Sequence, residues 1–141
     1  MIMHDNVMIV DDNEIDLIVG KRVIEKFSFA RNVILVESAI KAMEYLEAHA
    51  DEEDKLPDLI FLDINMPEMN GFEFLDAYAG LAEKMKRKCI IMMLTTSAHP
   101  EDRQRAAKSP YVYDYMNKPL SGDKLKQVDE RDCENNGTAN K

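Results

Sequence analysis

Residues 57–67 read PDLIFLDINMP, and this stretch decides how the fold of the whole chain is interpreted. Four consecutive apolar residues, 59–62, lie between Pro57 and Pro67 and are followed directly by the carboxylate of Asp63. A short apolar run without alternation is typical of a strand covered on both faces, as in a parallel sheet. Asp63 would then lie at the carboxyl end of that strand, which is the edge where ligands bind in open α/β sheets. Taken alone, a strand-end Asp is more often a turn residue or a helix cap.

The composition is that of one soluble domain. The 141 residues are 45% hydrophobic and 32% charged, and no apolar run approaches the roughly 20 residues that span a bilayer. The first residues do not resemble a signal peptide, and the two cysteines match no metal or redox spacing, which indicates a cytoplasmic setting. The net charge of −9 argues against binding nucleic acid and favours a cation site or a basic protein partner.

Predicted strands and helices alternate along the chain. Apolar runs predict strands at 7–10, 33–36, 59–62, 89–94 and 112–116. Helices are predicted at 14–27, after a cap at Ser38, at 72–84, at 100–108, and from a cap at Ser121 to about residue 131. The polar residues 132–141 are expected to form a disordered tail, which leaves one domain at 1–131. Such alternation implies βαβ units, and therefore a three-layer α/β/α sandwich around a five-stranded parallel sheet.

Apolar residues recur at helical spacing in the first three predicted helices. In the first helix they are Ile15, Ile18, Val19, Val23 and Phe27. In the second, Ala39, Ala42, Met43 and Leu46 form the predicted inward stripe. In the third, Phe72, Leu75, Ala79 and Ala82 share one side.

The three histidines, His4, His49 and His99, show no metal spacing and are interpreted as surface residues.

Polar residues follow several of the predicted strands. If all strands run parallel, their carboxyl ends share one edge, which collects Asp11, Asp12, Asp63, Thr95 and Lys118. Two carboxylates about 4 Å apart repel by roughly 4 kcal/mol at an effective dielectric near 20, so three of them should take up protons or bind a cation. Mg²⁺ suits this site because it prefers carboxylate and phosphate oxygens and keeps several waters.

A carboxylate beside a metal and an ammonium group can also attack phosphorus, which would give an acyl phosphate. In phosphoryl transfer the protein mainly positions groups and stabilises charge. The ammonium of Lys118 and a hydroxyl such as that of Thr95 are suited to contact phosphoryl oxygens.

Four motifs together resemble the receiver domain of two-component response regulators. They are VDDN at 10–13, DINMPEMNG at 63–71, LTTS at 94–97 and Lys118-Pro119. The resemblance covers roughly residues 5–131, in the order that the family has. It implies a flavodoxin-like (CheY-like) fold with strand order 2-1-3-4-5.

The resemblance implies a role for each matching residue. Asp63 would accept a phosphoryl group from a phosphohistidine, and Lys118 would pair with the phosphoryl oxygens. The Mg²⁺ ligands would be Asp11, Asp12, Asp63 and the backbone carbonyl of Asn65.

The family also implies a switch. Thr95 would close on the phosphoryl group by a hydrogen bond, although the adjacent Thr96 is an alternative. Tyr115, three residues before Lys118, falls where the family has an aromatic residue that turns inward when that hydroxyl moves. The segment 109–114 lacks the small residues that the family commonly has before its fifth strand. The face made by the fourth predicted helix, the fifth strand and the last helix is therefore expected to differ in its partners.

The expected partners are a sensor histidine kinase or a histidine phosphotransfer protein, and an unknown downstream protein. No nucleic acid and no membrane are expected, and the protein would be a monomer or a weak dimer. It would not be an enzyme beyond slow phosphorylation and dephosphorylation of itself. Two alternatives stay open. One is a haloacid-dehalogenase-like phosphatase, whose mechanism requires a second acidic residue at the position of Asn65. The other is a pseudo-receiver that is never phosphorylated.

Overall fold

The computed structural model describes residues 4–86, 89–96 and 99–129. One sheet contains strands β1 (His4–Val10), β2 (Ala30–Val36), β3 (Leu59–Leu62), β4 (Ile90–Thr95) and β5 (Val112–Asn117). The helices are α1 (Glu14–Lys26), α2 (Ala39–Ala48), α3 (Gly71–Ala79), α4 (Glu83–Lys86), α5 (Pro100–Ala107) and α6 (122–129), with a 3-10 turn at Glu53–Lys55. The predicted tail, 132–141, and the expected end of the last helix lie outside the described residues.

All neighbouring strands pair in parallel, in the order β2-β1-β3-β4-β5. This confirms the predicted α/β/α sandwich and its strand order. The carboxyl ends of the strands therefore share one edge of the sheet. Within the described ranges, no helix has the length and apolarity needed to cross a membrane.

The central strand β3 supplies core residues to both faces of the sheet. Every residue from Leu59 to Leu62 is buried. Side chains alternate across a strand, so Leu59 and Phe61 pack with residues of α1 and α6, whereas Ile60 and Leu62 pack with residues of α2, α3 and α5. This two-sided burial is why the apolar run shows no alternation.

Side-chain caps mark the start of three helices, and two of these caps, Ser38 and Ser121, confirm the sequence predictions. The Asn13 side chain accepts hydrogen bonds from two backbone N–H groups of α1, and Ser38 accepts one from Lys41. Ser121 accepts a hydrogen bond from the Lys124 N–H in α6, at 3.3 Å. The predicted inward stripe of α2 is also confirmed, since its four residues are all buried.

The predicted helix 72–84 is wrong in its extent. Helix α3 ends at Ala79, Gly80 caps it, and a separate short helix, α4, begins at Glu83. Ala79 and Ala82 are exposed, whereas Phe74 and Tyr78 are buried beside the predicted Phe72 and Leu75. Glycine is a common stop signal at a helix end, and the alanines hid the break because they fit the helical period.

Helix α1 turns a different face to the core from the predicted stripe, in which Ile15, Ile18 and Val19 are exposed. Its buried residues are Leu17, Gly20 and Ile24, whereas Ile15 is 70% exposed. A Cβ on Gly20 would lie 2.8 Å from the Ile9 side chain, so glycine lets the helix approach β1 closely. The small residue, rather than the apolar stripe, marks the buried side.

His4 is buried, which corrects its assignment as a surface residue. Only 6% of it is exposed, and its ring lies 4.6 Å from the Phe29 ring, centroid to centroid. Its Nε2 lies 3.2 Å from an Asp129 oxygen, and its Nδ1 lies 3.4 Å from an Asp58 oxygen. Burial alone would lower the pKa of His4, but the two carboxylates outweigh it and raise the pKa above 6.5. The imidazolium ties α6 to the amino-terminal edge of the sheet.

We expect His4→Gln to reduce the free energy of unfolding by about 1–2 kcal/mol near pH 5.5, because it removes a hydrogen-bonded charge between two carboxylates. A raised histidine pKa stabilises the fold fully below the unfolded value near 6.5, and that stabilisation disappears as the pH rises through the folded value. The difference between wild type and variant should therefore shrink toward about pH 9, and urea titrations at both pH values measure it.

His49→Gln is the control, because the side chain of His49 is 25% exposed and contacts one carboxylate, Glu52, at 2.8 Å. That variant should lose much less stability near pH 5.5. A loss in His4→Gln that is equal at both pH values would contradict the imidazolium bridge.

Candidate functional site

The carboxyl edge of the sheet brings the five predicted residues together. Asp11 follows β1 and its N–H donates to the Val36 carbonyl at 3.1 Å, while the Asp63 N–H donates to Val10 at 3.1 Å. Thr95 is the last residue of β4, and its carbonyl accepts from the Lys118 N–H at 2.9 Å. Parallel pairing thus carries each chemical group to one end of the sheet.

Three carboxylates form an acidic cluster there. One oxygen each from Asp11, Asp12 and Asp63 lie within 4.8 Å of one another. Asp11 is 3% exposed and Asp63 is 6% exposed, whereas Asp12 is exposed. At 4.8 Å, two such charges repel by roughly 3 kcal/mol at an effective dielectric near 20. Hard carboxylate oxygens in this number fit a hard divalent cation with retained waters.

Lys118 supplies the positive charge of the site. Its Nζ lies 2.5 Å from Asp11, 2.8 Å from Asp16 and 3.3 Å from Asp63, and 9% of its side chain is exposed. Burial alone would lower the pKa of Lys118, but the hydrogen bonds to Asp11 and Asp16 and the charge of Asp63 raise it, so the side chain is an ammonium. One ammonium faces at least three carboxylates, so the site keeps a net negative charge.

Burial raises the pKa of Asp11, and the neighbouring Asp63 acts in the same direction. The hydrogen bonds from Lys118 and from the Asn13 N–H lower it but do not cancel the effect of burial. The ionised form of Asp11 is thus held at a cost that a second cation would relieve.

Asp16 is the residue that sequence reasoning missed. It stands in the first turn of α1, where a carboxylate is ordinarily read as complementing the helix dipole. The signal that could have found it is its place just after the Asn13 cap, which turns its side chain back toward the end of β1.

The predicted switch residues occupy different environments. Thr95 is fully buried, and Thr96 is exposed. Tyr115 is 8% exposed in β5, and the Arg103 guanidinium lies 5.4 Å from the centroid of its ring. Tyr115 pairs in register with Met93 of β4, two residues from the end of that strand. The tyrosine ring is thus packed inward in this structure.

The loop after Asp63 is held at both ends. The Asp63 carboxylate accepts a hydrogen bond from the Ile64 N–H at 2.8 Å, and the Gly71 N–H donates to the Ile64 carbonyl at 2.8 Å. Asn70 and Glu73 form a reciprocal capping box at the start of α3. Asn65, whose backbone carbonyl is the fourth predicted metal ligand, is exposed within this loop.

Gly71 fixes how closely α3 approaches the loop after Asp63. A Cβ at this position would lie 2.5 Å from the Asp63 carbonyl oxygen and 3.0 Å from the Ile64 Cα. Both contacts are with backbone, so the backbone would have to shift. We expect Gly71→Ala to lower the free energy of unfolding by about 2 kcal/mol, as overpacked sites do, measured by urea unfolding.

Gly80→Ala is the matched control for this prediction, since its Cβ would lie 3.4 Å from the Ala77 carbonyl oxygen. That variant should change stability much less. Equal stability of the two variants would contradict the close approach at Gly71.

Comparisons with known proteins identify the family to which this chain belongs. The sequence model of the response regulator receiver domain family matches residues 7–129. The chain is 30% identical over 124 residues to the probable methanogenesis regulatory protein FilR2 of Methanothrix harundinacea, covering 88% of this chain and 78% of that protein. The chain spans only about half the length of some other curated relatives.

Solved structures show the same fold. A two component response regulator from Cytophaga hutchinsonii superposes with a TM-score of 0.85 at 28% identity, covering 92% of this chain and 97% of that one. The Mn²⁺-bound form of response regulator Rcp1 has a TM-score of 0.67 at 26% identity, with 88% of each chain covered. The chain belongs to the receiver domain family of two-component response regulators.

Proposed function

We propose that this protein is a phosphoryl-accepting signalling module in which Asp63 is the acceptor. The observation that carries the proposal is the position of the buried Asp63 carboxylate, 3.3 Å from the Lys118 ammonium and within the acidic cluster of Asp11 and Asp12. The membership of the receiver family supports it, because receiver domains in two-component systems take part in signal transfer from kinases.

The phosphodonor is a phosphohistidine of a sensor histidine kinase or of a histidine phosphotransfer protein. An oxygen of the Asp63 carboxylate forms the new bond to phosphorus, the N–P bond breaks, and the imidazole leaves with the electron pair. The Ile64 N–H holds one oxygen of the acceptor in place, and Lys118 neutralises charge that develops on the phosphoryl oxygens.

Mg²⁺ bound by Asp11, Asp12, Asp63 and the carbonyl of Asn65 would supply positive charge to the phosphoryl oxygens. The three clustered carboxylates fit this ion, and the Mn²⁺-bound form of the similar protein Rcp1 supports a divalent cation at the site. The buried carboxylates of Asp11 and Asp63 share the single ammonium of Lys118, so a second cation would further stabilise their ionised forms.

The phosphorylated state is read by a protein partner. Thr95 closes on the phosphoryl group, and phosphorylation holds Tyr115 in the inward position that it has in this structure, which fixes the surface formed by α5 and β5. A downstream protein or a further phosphorelay partner recognises that surface. The protein acts in the cytoplasm as a monomer or a weak dimer.

Intact mass spectrometry tests this function. Incubation with Mg²⁺ and acetyl phosphate should add one phosphoryl group to the protein. Steady hydrolysis of small phosphate esters would instead favour the phosphatase alternative, although Asn65 stands where that chemistry wants a second acid. Absence of any mass gain with an active donor would favour the pseudo-receiver.

Mg²⁺ should raise the melting temperature. At ten times its Kd, a ligand that binds only the folded state stabilises it by about 1.4 kcal/mol, and this corresponds to roughly 4 °C for a domain of this size. Asp12→Ala should remove most of that rise, measured by calorimetry with and without Mg²⁺. Glu37→Ala, an exposed acid outside the cluster, is the control and should keep the rise. An undiminished rise in Asp12→Ala would contradict the proposed metal site.

A further inference from the structure

Asp16 holds the Lys118 ammonium more closely than the proposed acceptor does. The distance from Lys118 Nζ to the Asp16 carboxylate is 2.8 Å, against 3.3 Å to the Asp63 carboxylate. Asp16 lies on α1, and none of its oxygens belongs to the acidic cluster of Asp11, Asp12 and Asp63. The lysine is therefore shared between the acceptor and a carboxylate on another element.

The start of α1 leaves the Asp16 carboxylate available for this contact. Asp16 is the third residue of the helix, where an acidic side chain often bonds back to the N–H of the cap residue. Here the Asn13 N–H donates to Asp11 instead, at 2.9 Å, and Asn13 itself accepts from the Asp16 N–H at 3.3 Å. With the cap satisfied by Asp11, the Asp16 side chain reaches across to Lys118.

We propose that Asp16 is a positioning residue for phosphoryl transfer: it competes with the acceptor side of the site for Lys118 and so limits how readily the ammonium engages the incoming phosphoryl group. The proposal rests on the proposed function of Asp63. An interaction that stabilises the ammonium in the unphosphorylated protein, and that must weaken as charge develops at the acceptor, raises the barrier to transfer.

The reaction itself is unchanged by this role. With acetyl phosphate, an Asp63 oxygen forms the bond to phosphorus, the phosphorus–oxygen bond to the acetyl group breaks, and acetate leaves with the electron pair. Asp16 contacts the Lys118 ammonium, and its influence on the transfer passes through that contact. Because 34% of the Asp16 side chain is exposed, solvent screens the ion pair and the effect should be modest.

The test measures the rate of phosphoryl uptake from acetyl phosphate with Mg²⁺ in wild type, Asp16→Asn, Asp16→Glu and Glu14→Gln. Asp16→Asn should take up the phosphoryl group about threefold faster than wild type, which is the size of effect expected from losing a partly exposed ion pair. Asp16→Glu restores the carboxylate and should return the rate toward wild type. Glu14→Gln removes the same charge from an exposed residue of the same helical turn, and its rate should stay at the wild-type value.

A spectroscopic readout accompanies the rates. The ¹⁵N signal of the Lys118 ammonium in the unphosphorylated, metal-free protein should move in Asp16→Asn and stay in place in Glu14→Gln. If wild type takes up phosphoryl and Asp16→Asn does so at an equal or slower rate, the role of Asp16 is overturned. The acceptor proposal then still stands. Absence of uptake in wild type overturns the acceptor proposal, and the role of Asp16 falls with it.

Discussion

Asp63→Asn is expected to abolish phosphoryl uptake and, at the same time, to leave the metal-free protein at least as stable as wild type. Uptake disappears because the amide cannot act as the nucleophile. Stability is retained because the variant removes one of two buried carboxylates that share Lys118, while the amide oxygen can still accept the 2.8 Å hydrogen bond from the Ile64 N–H. Intact mass and urea unfolding without Mg²⁺ measure the two effects.

Asp58→Asn is the matched control, because Asp58 stands before β3 as Asp63 stands after it. It should keep phosphoryl uptake and lose stability, since its carboxylate contacts the buried His4 and accepts from the Asn6 N–H at 2.8 Å. Phosphoryl uptake by Asp63→Asn equal to that of Asp58→Asn would contradict the assignment of the acceptor.

Lys118→Met should have the opposite effect on stability. Breaking a buried ion pair by removing one partner leaves uncompensated charge, so we expect a loss of about 3 kcal/mol in the free energy of unfolding near pH 7 without divalent cation. The lost contacts are those to Asp11 at 2.5 Å, to Asp16 at 2.8 Å and to Asp63 at 3.3 Å. Methionine keeps the length and the apolar part of the side chain. The loss in the free energy of unfolding therefore measures the effect of removing the charge.

Conditions should modify this loss in two ways. It should shrink with Mg²⁺, which replaces the missing positive charge, and it should shrink as the pH falls toward about 4, because protonated carboxyls need no counter-charge. The direction follows from Asp11, whose pKa burial already raises above its ordinary value.

Lys84→Met is the control for Lys118→Met. Its ammonium lies 2.6 Å from Asp51, but both side chains are more than half exposed. Exposed ion pairs contribute little, so that variant should lose much less stability. Losses of equal size in the two variants would contradict the conclusion that the buried carboxylates depend on the charge of Lys118.

The fold could be predicted from sequence because its main signals are local. Four apolar residues ending at Asp63 indicated a strand buried on both faces, and the stripe of α2 carried the helical period without interruption. Parallel pairing then placed Asp11, Asp63 and Lys118 at one edge, and the structure brings them together as predicted. Their chemical roles stay predictions until phosphoryl uptake is measured.

The features that sequence did not predict depend on how separate elements pack. Asp16 reaches Lys118 from another element, at a sequence separation of 102 residues. His4 is buried because α6 brings Asp129 over the amino-terminal edge, a contact between residues 125 apart in the chain. The buried face of α1 carries Leu17, Gly20 and Ile24 rather than the predicted stripe that begins at Ile15. Each of these contacts is set by the close approach of two elements. The place of Asp16 just after the Asn13 cap indicates the direction of its side chain but does not identify its partner.

Reductive mapping of the phosphorylated protein tests the central claim most directly. Borohydride reduces an acyl phosphate of aspartate to homoserine, so the protein is treated with Mg²⁺ and acetyl phosphate, reduced, digested and sequenced by mass spectrometry. We predict homoserine at position 63 and unmodified aspartate at positions 11 and 12. Homoserine at either of those positions instead, or an unmodified Asp63 in protein that has gained a phosphoryl group, would contradict the assignment of Asp63 as the acceptor.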